Sequence, residues 1–260
     1  MRILLTGGCG FQGSHLAESW LNAGHDITVL NTFSEEGLRN IEAFSSGITV
    51  VWGSVTDPEI VEKTVRGRDV VVHMAADPRP EAPWEDILNS NVIGTYHTFE
   101  ASRLAGVKRI ITASSGQATL GYRQDEPYRA ITEERYDDVP DGFRLIDHLM
   151  PTRPENIYGC SKVWSEALAR VYSGSQGMSC IALRIRWVLA EDRPPYLQAR
   201  DVWCSQRDIA QLVERCINAP DSLRFDLFYG MSDNRYSWVD IDHPRQVVGY
   251  EPQDRAEDWL

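Results

Sequence analysis

In the stretch Tyr158-Gly-Cys-Ser-Lys162 a phenol and an ammonium stand four residues apart. On a helix that spacing puts both side chains on one face, about one turn apart. A tyrosine of ordinary pKa, about 10, is a poor base at neutral pH. A neighbouring cation favours the phenolate and makes it able to take a proton from an alcohol. The pair alone decides nothing, because a surface aromatic beside a solvated lysine has the same spacing. Its meaning depends on the elements that carry it.

Those elements alternate. Short apolar runs at Arg2–Thr6, Asp26–Leu30, Ile48–Trp52, Val70–His73, Arg109–Thr112 and Ser179–Arg184 read as strands, and the amphipathic stretches Phe11–Ala23, Pro58–Val65, Trp84–Ala105 and Asn156–Ser173 between them read as helices. Such alternation predicts an α/β fold, a doubly wound parallel sheet built from βαβ units. The last of these helices carries the Tyr158/Lys162 pair. Residues 116–155, rich in Asp, Glu, Pro and Arg, break the rhythm, and a long connection of this kind is usually functional. After Arg186 the alternation loosens. A helix at Ser205–Asn218, a strand at Phe225–Tyr229 and a helix at Asp240–Val248 are expected there, forming a small C-terminal lobe over residues 187–260 that does not fold independently of a main domain at 1–186.

The chain opens with Thr6-Gly7-Gly8-Cys9-Gly10-Phe11-Gln12-Gly13, directly after the first strand and at the start of the first helix. Two glycine registers fit, Gly8-x-Gly10-x-x-Gly13 and Gly7-x-x-Gly10-x-x-Gly13, and both describe a tight turn that lets backbone approach a pyrophosphate. The helix start at Phe11, Gln12 and Gly13 offers its free amides. A Rossmann-type NAD(P) site is therefore expected. At the end of the second strand Asn31 stands where an acid usually binds the adenosine ribose. With Glu35 and Glu36 close by and no basic residue before Arg39, NAD is favoured and NADP is left open.

Bulk properties narrow the function further. Thirty-eight acidic against 26 basic residues give a net charge of −12, which argues against a nucleic-acid or anionic-membrane partner. No apolar segment at the start reads as a signal and none approaches a membrane span, so a soluble, cytoplasmic protein is expected. The five cysteines are scattered without a Cys-x-x-Cys pair and read as reduced thiols, and the six histidines show no metal-ligand spacing, so no metal is predicted.

Together with Val72-His73-Met74-Ala75-Ala76, Asn91-Val92-Ile93-Gly94-Thr95 and Ala113-Ser114-Ser115, these motifs resemble the extended short-chain dehydrogenases, the NAD-dependent epimerase/dehydratase family. The likeness runs in order from residue 1 to about 186. It implies that Tyr158 is the acid/base, that Lys162 holds the nicotinamide ribose and tunes Tyr158, and that a hydroxyl after the fifth strand orients the substrate oxygen. Counting forward from that strand puts Ser115 there, with Ser114 beside it; counting back from Gly121 puts Gly116 there. The resemblance also assigns Ala75 and Ala76 to the nicotinamide side, Ser54 and Val55 to the adenine side, and Asn91 to a bond that locks its helix or touches the cofactor. Asp57, before Pro58, reads as a helix cap. A homodimer packed through the helices at Trp84–Ala105 and Asn156–Ser173 is likewise implied.

The short tail favours a small substrate. The order of its elements is similar to the uronate and sugar dehydrogenase-like members, which implies oxidation of the anomeric or another secondary hydroxyl of a sugar or sugar acid. Arg186, Arg193 and Arg200 are the arginines able to clamp an anionic substituent bidentately. A nucleotide-sugar epimerase or dehydratase that retains NAD is the second reading. A non-catalytic NAD(P)-sensing protein is the third, and the presence of the Tyr-Lys pair counts against it.

Overall fold

The computed structural model describes residues 1–259. Seven parallel strands, β1 (Arg2–Thr6), β2 (Asp26–Asn31), β3 (Thr49–Trp52), β4 (Val70–His73), β5 (Arg109–Ser115), β6 (Ser179–Ile185) and β7 (Phe225–Gly230), lie in the order β3-β2-β1-β4-β5-β6-β7. Side chains alternate across a strand, so neighbouring residues serve opposite faces. Leu5, Val29 and Val72 pack on Leu16 and Trp20 of α1 (Phe11–Asn22) and on Leu212 and Val213 of α8 (Gln206–Ile217). Leu4, Val71 and Ile110 face Val61 of α3 (Pro58–Val65), Phe99 of α5 (Gly94–Leu104), and Leu168 and Tyr172 of α7 (Ile157–Gln176). Burial on both faces explains why these strands read as unbroken apolar runs. The succession of strands switches from one side of β1 to the other between β1 and β4, and ligands of such sheets bind in the crevice at the carboxyl ends of those strands.

The expected strands and helices are present with small shifts at their ends. Strand β5 continues to Ser115, three residues beyond its apolar run, because Ser114 and Ser115 pair with Arg184 and Ile185. A helix that the periodicity missed, α2 (Glu35–Ile41), follows β2; the Ser34 hydroxyl caps it by accepting from the Gly37 amide at 3.0 Å. Asp57 caps α3 as expected, accepting from the amides of Glu59 and Ile60. The helix expected at Trp84–Ala105 is three pieces, α4 (Trp84–Asp86), a π-helical segment (Ile87–Ile93) and α5.

In the C-terminal part, β7 pairs with β6 and α8 covers the sheet. The carboxyl edge of the sheet is roofed by two segments distant in sequence. Tyr128 and Ile131 from α6 (Tyr128–Thr132), with Ile146, pack against Met231, Trp238 and Val239, which precede α9 (Asp242–Val248). No helix among the described residues is long and apolar enough to cross a membrane.

Helix α7 starts at Asn156, whose side chain accepts from the Gly159 amide at 2.7 Å, and ends at Gly177 in the left-handed conformation. Its hold on the sheet is polar as well as apolar. Arg184 donates from Nε and Nη2 to the two Glu166 carboxylate oxygens, both at 2.9 Å, and Ser114 Oγ donates to Glu166 Oε1 at 2.5 Å. Arg184 also donates to the Tyr229 hydroxyl at 2.9 Å. A buried carboxylate deprived of its guanidinium is left uncompensated, so Arg184→Met is expected to cost about 3–5 kcal/mol, measured by urea unfolding. Adding Glu166→Gln should recover most of that loss; a double variant as unstable as the single one contradicts this account of how α7 is held.

Candidate active site

The carboxyl ends of the strands, the start of α1 and one face of α7 enclose a cleft of about 950 Å³. Its cofactor end is shaped by glycines. Gly7 has φ +75°, and a Cβ there would lie 2.8 Å from the Ala75 amide nitrogen; a Cβ on Gly13 would lie 2.2 Å from the Gly7 carbonyl oxygen. Neither position tolerates a side chain. Gly10 occupies the N-cap of α1 and brings no capping side chain, and the first turn holds no acid. The amides of Phe11, Gln12 and Gly13 thus open on the cleft with the positive end of the helix behind them, a cradle that fits the pyrophosphate of NAD.

Asn31 lines the same end, but its Oδ1 accepts from the Cys9 amide at 3.1 Å and its Nδ2 donates to the Thr32 carbonyl at 2.8 Å. Its main bonds therefore brace the glycine turn. Beyond it the cleft is bounded by Ser34, Glu36 and Asn40 of the α2 region, which periodicity overlooked; Ser34 followed by two glutamates is a helix-start signal that could have revealed it. Glu36 puts negative charge on this wall, unfavourable to an additional phosphate. Ser54 and Val55 line the wall after β3, the Ser54 hydroxyl bonding Thr56 Oγ1 at 2.8 Å.

Ala75 and Ala76 reach the cleft from β4, and a buried chain of hydrogen bonds fixes their loop. Thr95 Oγ1 donates to the Asn91 carbonyl at 2.6 Å, so it accepts from His73 Nε2 at 3.0 Å, and His73 Nδ1 accepts from the Thr6 hydroxyl at 2.8 Å. Burial, reinforced by the Lys162 charge, pushes His73 down to about 3 and keeps it neutral. The Asn91 side chain accepts from the Asp77 amide at 2.8 Å and donates to the Asp77 carbonyl and to Ser161 Oγ, each at 3.0 Å. It ties the Ala75–Asp77 loop to α7 from within the π-helical segment, and this architectural bond is the role that the structure displays.

Tyr158, Lys162 and Ser115 converge in the cleft. Lys162 is buried, donates from Nζ to the Ala113 carbonyl at 3.0 Å, and lies 5.4 Å from the centre of the Tyr158 ring. Burial pushes it down to about 8. Burial also raises the Tyr158 phenol, with Asp77 adding to the rise, while the Ser115 hydroxyl draws it back down. The Lys162 ammonium engages β5 through the Ala113 carbonyl, and the hydroxyl that acts on the Tyr158 phenol is that of Ser115. Ser115 Oγ also accepts from the Gln117 amide at 3.2 Å. The Ser114 hydroxyl is turned to Glu166.

Next to Ser115, Gly116 lies against the Arg186 guanidinium, and both line the cleft. Arg193 is exposed and Arg200 half-buried, and neither lines it. Arg123, which the motifs did not single out, does line it, and pairs with Glu155 at 2.8 Å. Away from the cleft, His148, Asp226 and His243 gather potential metal-ligand atoms within 4.8 Å. The two imidazoles are stacked at 3.7 Å and 9°, so their in-plane lone pairs do not converge on one point, and His243 Nε2 bonds Asp226 at 2.7 Å.

A profile of the NAD dependent epimerase/dehydratase family matches residues 3–242. Over 211 residues the chain is 37% identical to an NAD-dependent glucose-6-phosphate dehydrogenase of Haloferax volcanii, covering 79% of this chain and 76% of that one. It is 32% identical over 256 residues to a uronate dehydrogenase of Pseudomonas putida, covering 98% and 85%. A solved glucuronic acid dehydrogenase from Chromohalobacter salexigens superimposes with a TM-score of 0.83 at 28% identity, over 99% of this chain and 86% of that one. With the glycine turn, the Tyr158/Lys162 pair and the doubly wound sheet already in place, the conclusion is direct: the chain belongs to the NAD dependent epimerase/dehydratase family.

Proposed function

We propose that the protein is an NAD-dependent dehydrogenase that oxidises the anomeric or another secondary hydroxyl of a small sugar or sugar acid. The observation that carries this reading is the convergence of Tyr158, Ser115 and buried Lys162 on one cleft, whose far end is the uncapped start of α1. Relatives named as sugar and uronate dehydrogenases support the same substrate class.

When bound, NAD supplies the hydride acceptor and a positively charged nicotinamide ring. Ser115 Oγ donates to the substrate oxygen and orients the alcohol. Tyr158 Oη takes the alcohol proton, and its phenolate is favoured by nearby positive charge over the burial that otherwise raises it. Lys162, with one Nζ proton on the Ala113 carbonyl, has two left for ribose hydroxyls. Asn91 and His73 fix the loop that carries Ala75 and Ala76, which would line the nicotinamide side. The five cysteines are unpaired thiols, in keeping with a reducing cytoplasm.

A second copy of the chain is proposed to cover α7. Ile157, Trp164 and Val171 recur every seven residues along it and are all exposed, beside exposed Trp84 and Tyr96 on α4 and α5. Light scattering should give about twice 29.5 kDa, with Trp164→Lys shifting it to the single-chain mass; a wild-type monomer at micromolar concentration contradicts the proposal.

Tyr158→Phe is expected to lower NADH formation from the best sugar of a panel by about 10²–10⁴-fold while NAD still binds. Equal turnover would remove Tyr158 from the chemistry. Lys162→Met separates function from stability. The lysine falls from 10.5 to about 8 on folding, so between those values the unfolded chain holds more protons and stability rises with pH; below about 8 the full burial penalty applies. Thermal melts of the inactive variant should therefore match or exceed wild type at neutral pH, with the difference shrinking as pH rises through that window. A variant less stable at neutral pH, with an unchanged pH slope, contradicts it.

A further inference from the structure

Three arginines are buried, and two of them are fully answered by the protein. Arg184 has the Glu166 carboxylate and the Tyr229 hydroxyl. Arg109 donates to Ser179 Oγ and to the carbonyls of Cys216, Ile217, Ala219 and Pro220 around the end of α8. Arg186 is different. Among the described residues its guanidinium has one acceptor, the Asp201 carbonyl, at a long 3.4 Å, and its Nε is buried with none. It is also the one member of the three that lines the active-site cleft.

The side chain is nevertheless held in place. Its guanidinium carbon stands 4.5 Å from the centre of the Trp238 ring, and Trp238 Nε1 donates to Asp201 Oδ2 at 2.7 Å. The Asp201 carboxylate attracts Arg186 without forming an ion pair. On the other side Nη1 occupies the space that a Cβ on Gly116 would take, at 2.7 Å, next in sequence to Ser115. A cation buried with so few acceptors is costly unless an external anion completes it, and a fixed planar fork suits a carboxylate or phosphate. Arg123, the other cleft arginine, already has Glu155.

We propose that Arg186 receives an oxyanion substituent, carboxylate or phosphate, of the sugar oxidised at Tyr158. This deepens the dehydrogenase reading and rests on it. Three arginines, Arg186, Arg193 and Arg200, are open from sequence alone; the structure assigns the role to the residue stacked on Trp238.

The test compares glucuronate, glucose 6-phosphate and glucose with NAD, using wild type, Arg186→Met and Arg186→Lys. Wild type should favour one charged sugar over glucose by about 10–100-fold in kcat/KM, the range of a charge-assisted hydrogen bond or two, and that sugar identifies the oxyanion. In Arg186→Met the ratio should collapse towards unity. If that variant does not fold, Arg186→Lys, which retains charge but not the fork, should lose most of the ratio through KM. A ratio that survives substitution, or glucose as the best wild-type substrate, overturns the proposal. Should wild type reduce NAD with none of the three, the dehydrogenase reading fails on these sugars, and calorimetric titration of the NAD-loaded protein decides for Arg186 separately. Charged-sugar binding that disappears in Arg186→Met upholds it; binding that is unchanged, or absent in wild type, overturns it.

Discussion

Helix α7 buries a lysine and a glutamate one turn apart against a sheet, and burial of unpaired charge is among the costliest things a fold can do. Consecutive residues of β5 and one residue of β6 answer the two groups: the Ala113 carbonyl takes Lys162, while Ser114 and Arg184 take Glu166. With two points of the helix fixed in this way, its first turn has little freedom left. Tyr158 then stands by Ser115, which β5 delivers just beyond the same two residues. The reacting geometry is thus set by charge satisfaction a turn below it.

The same reasoning separates framework from function. The polar groups of Arg109, Arg184 and the Thr6–His73–Thr95 chain, which serve the framework, are answered by partners within the protein. Those that face the cleft are left short: the first-turn amides of α1, two protons of Lys162 and most of the Arg186 fork. These deficits lie in sequence from the glycine turn to the roof of the cleft. They match, respectively, a pyrophosphate, a ribose and the proposed oxyanion. Stability forgone at these points is what leaves them able to bind.

Much of the framework was legible because it is local. Apolar runs bounded by turns marked six strands to within a few residues, and a glycine turn between strand and helix marked the cofactor end. Helix α2 was missed because it is short and carries Gly37 within it, which masked the Ser34 cap and the acidic start. The π-helical segment around Asn91 has no periodic signature, since its amphipathic pattern continues that of the flanking helices. Asn31 is legible as the residue that ends the second strand, but its bond to the Cys9 amide depends on how the glycine turn folds back. The roof was the least legible part. Trp238 fixes Arg186 from a segment far along the chain, and β7 reads as a lobe strand until it is seen beside β6.

The central claim is net hydride transfer from a sugar carbon to NAD at the Tyr158/Ser115 site. The most direct measurement supplies an aldose or uronate deuterated at C1 with NAD and locates the label by mass spectrometry. The account predicts accumulation of reduced nicotinamide carrying deuterium, with the sugar oxidised at that carbon. Deuterium kept on the sugar, with no reduced nicotinamide accumulating from any aldose or uronate tested, would contradict it.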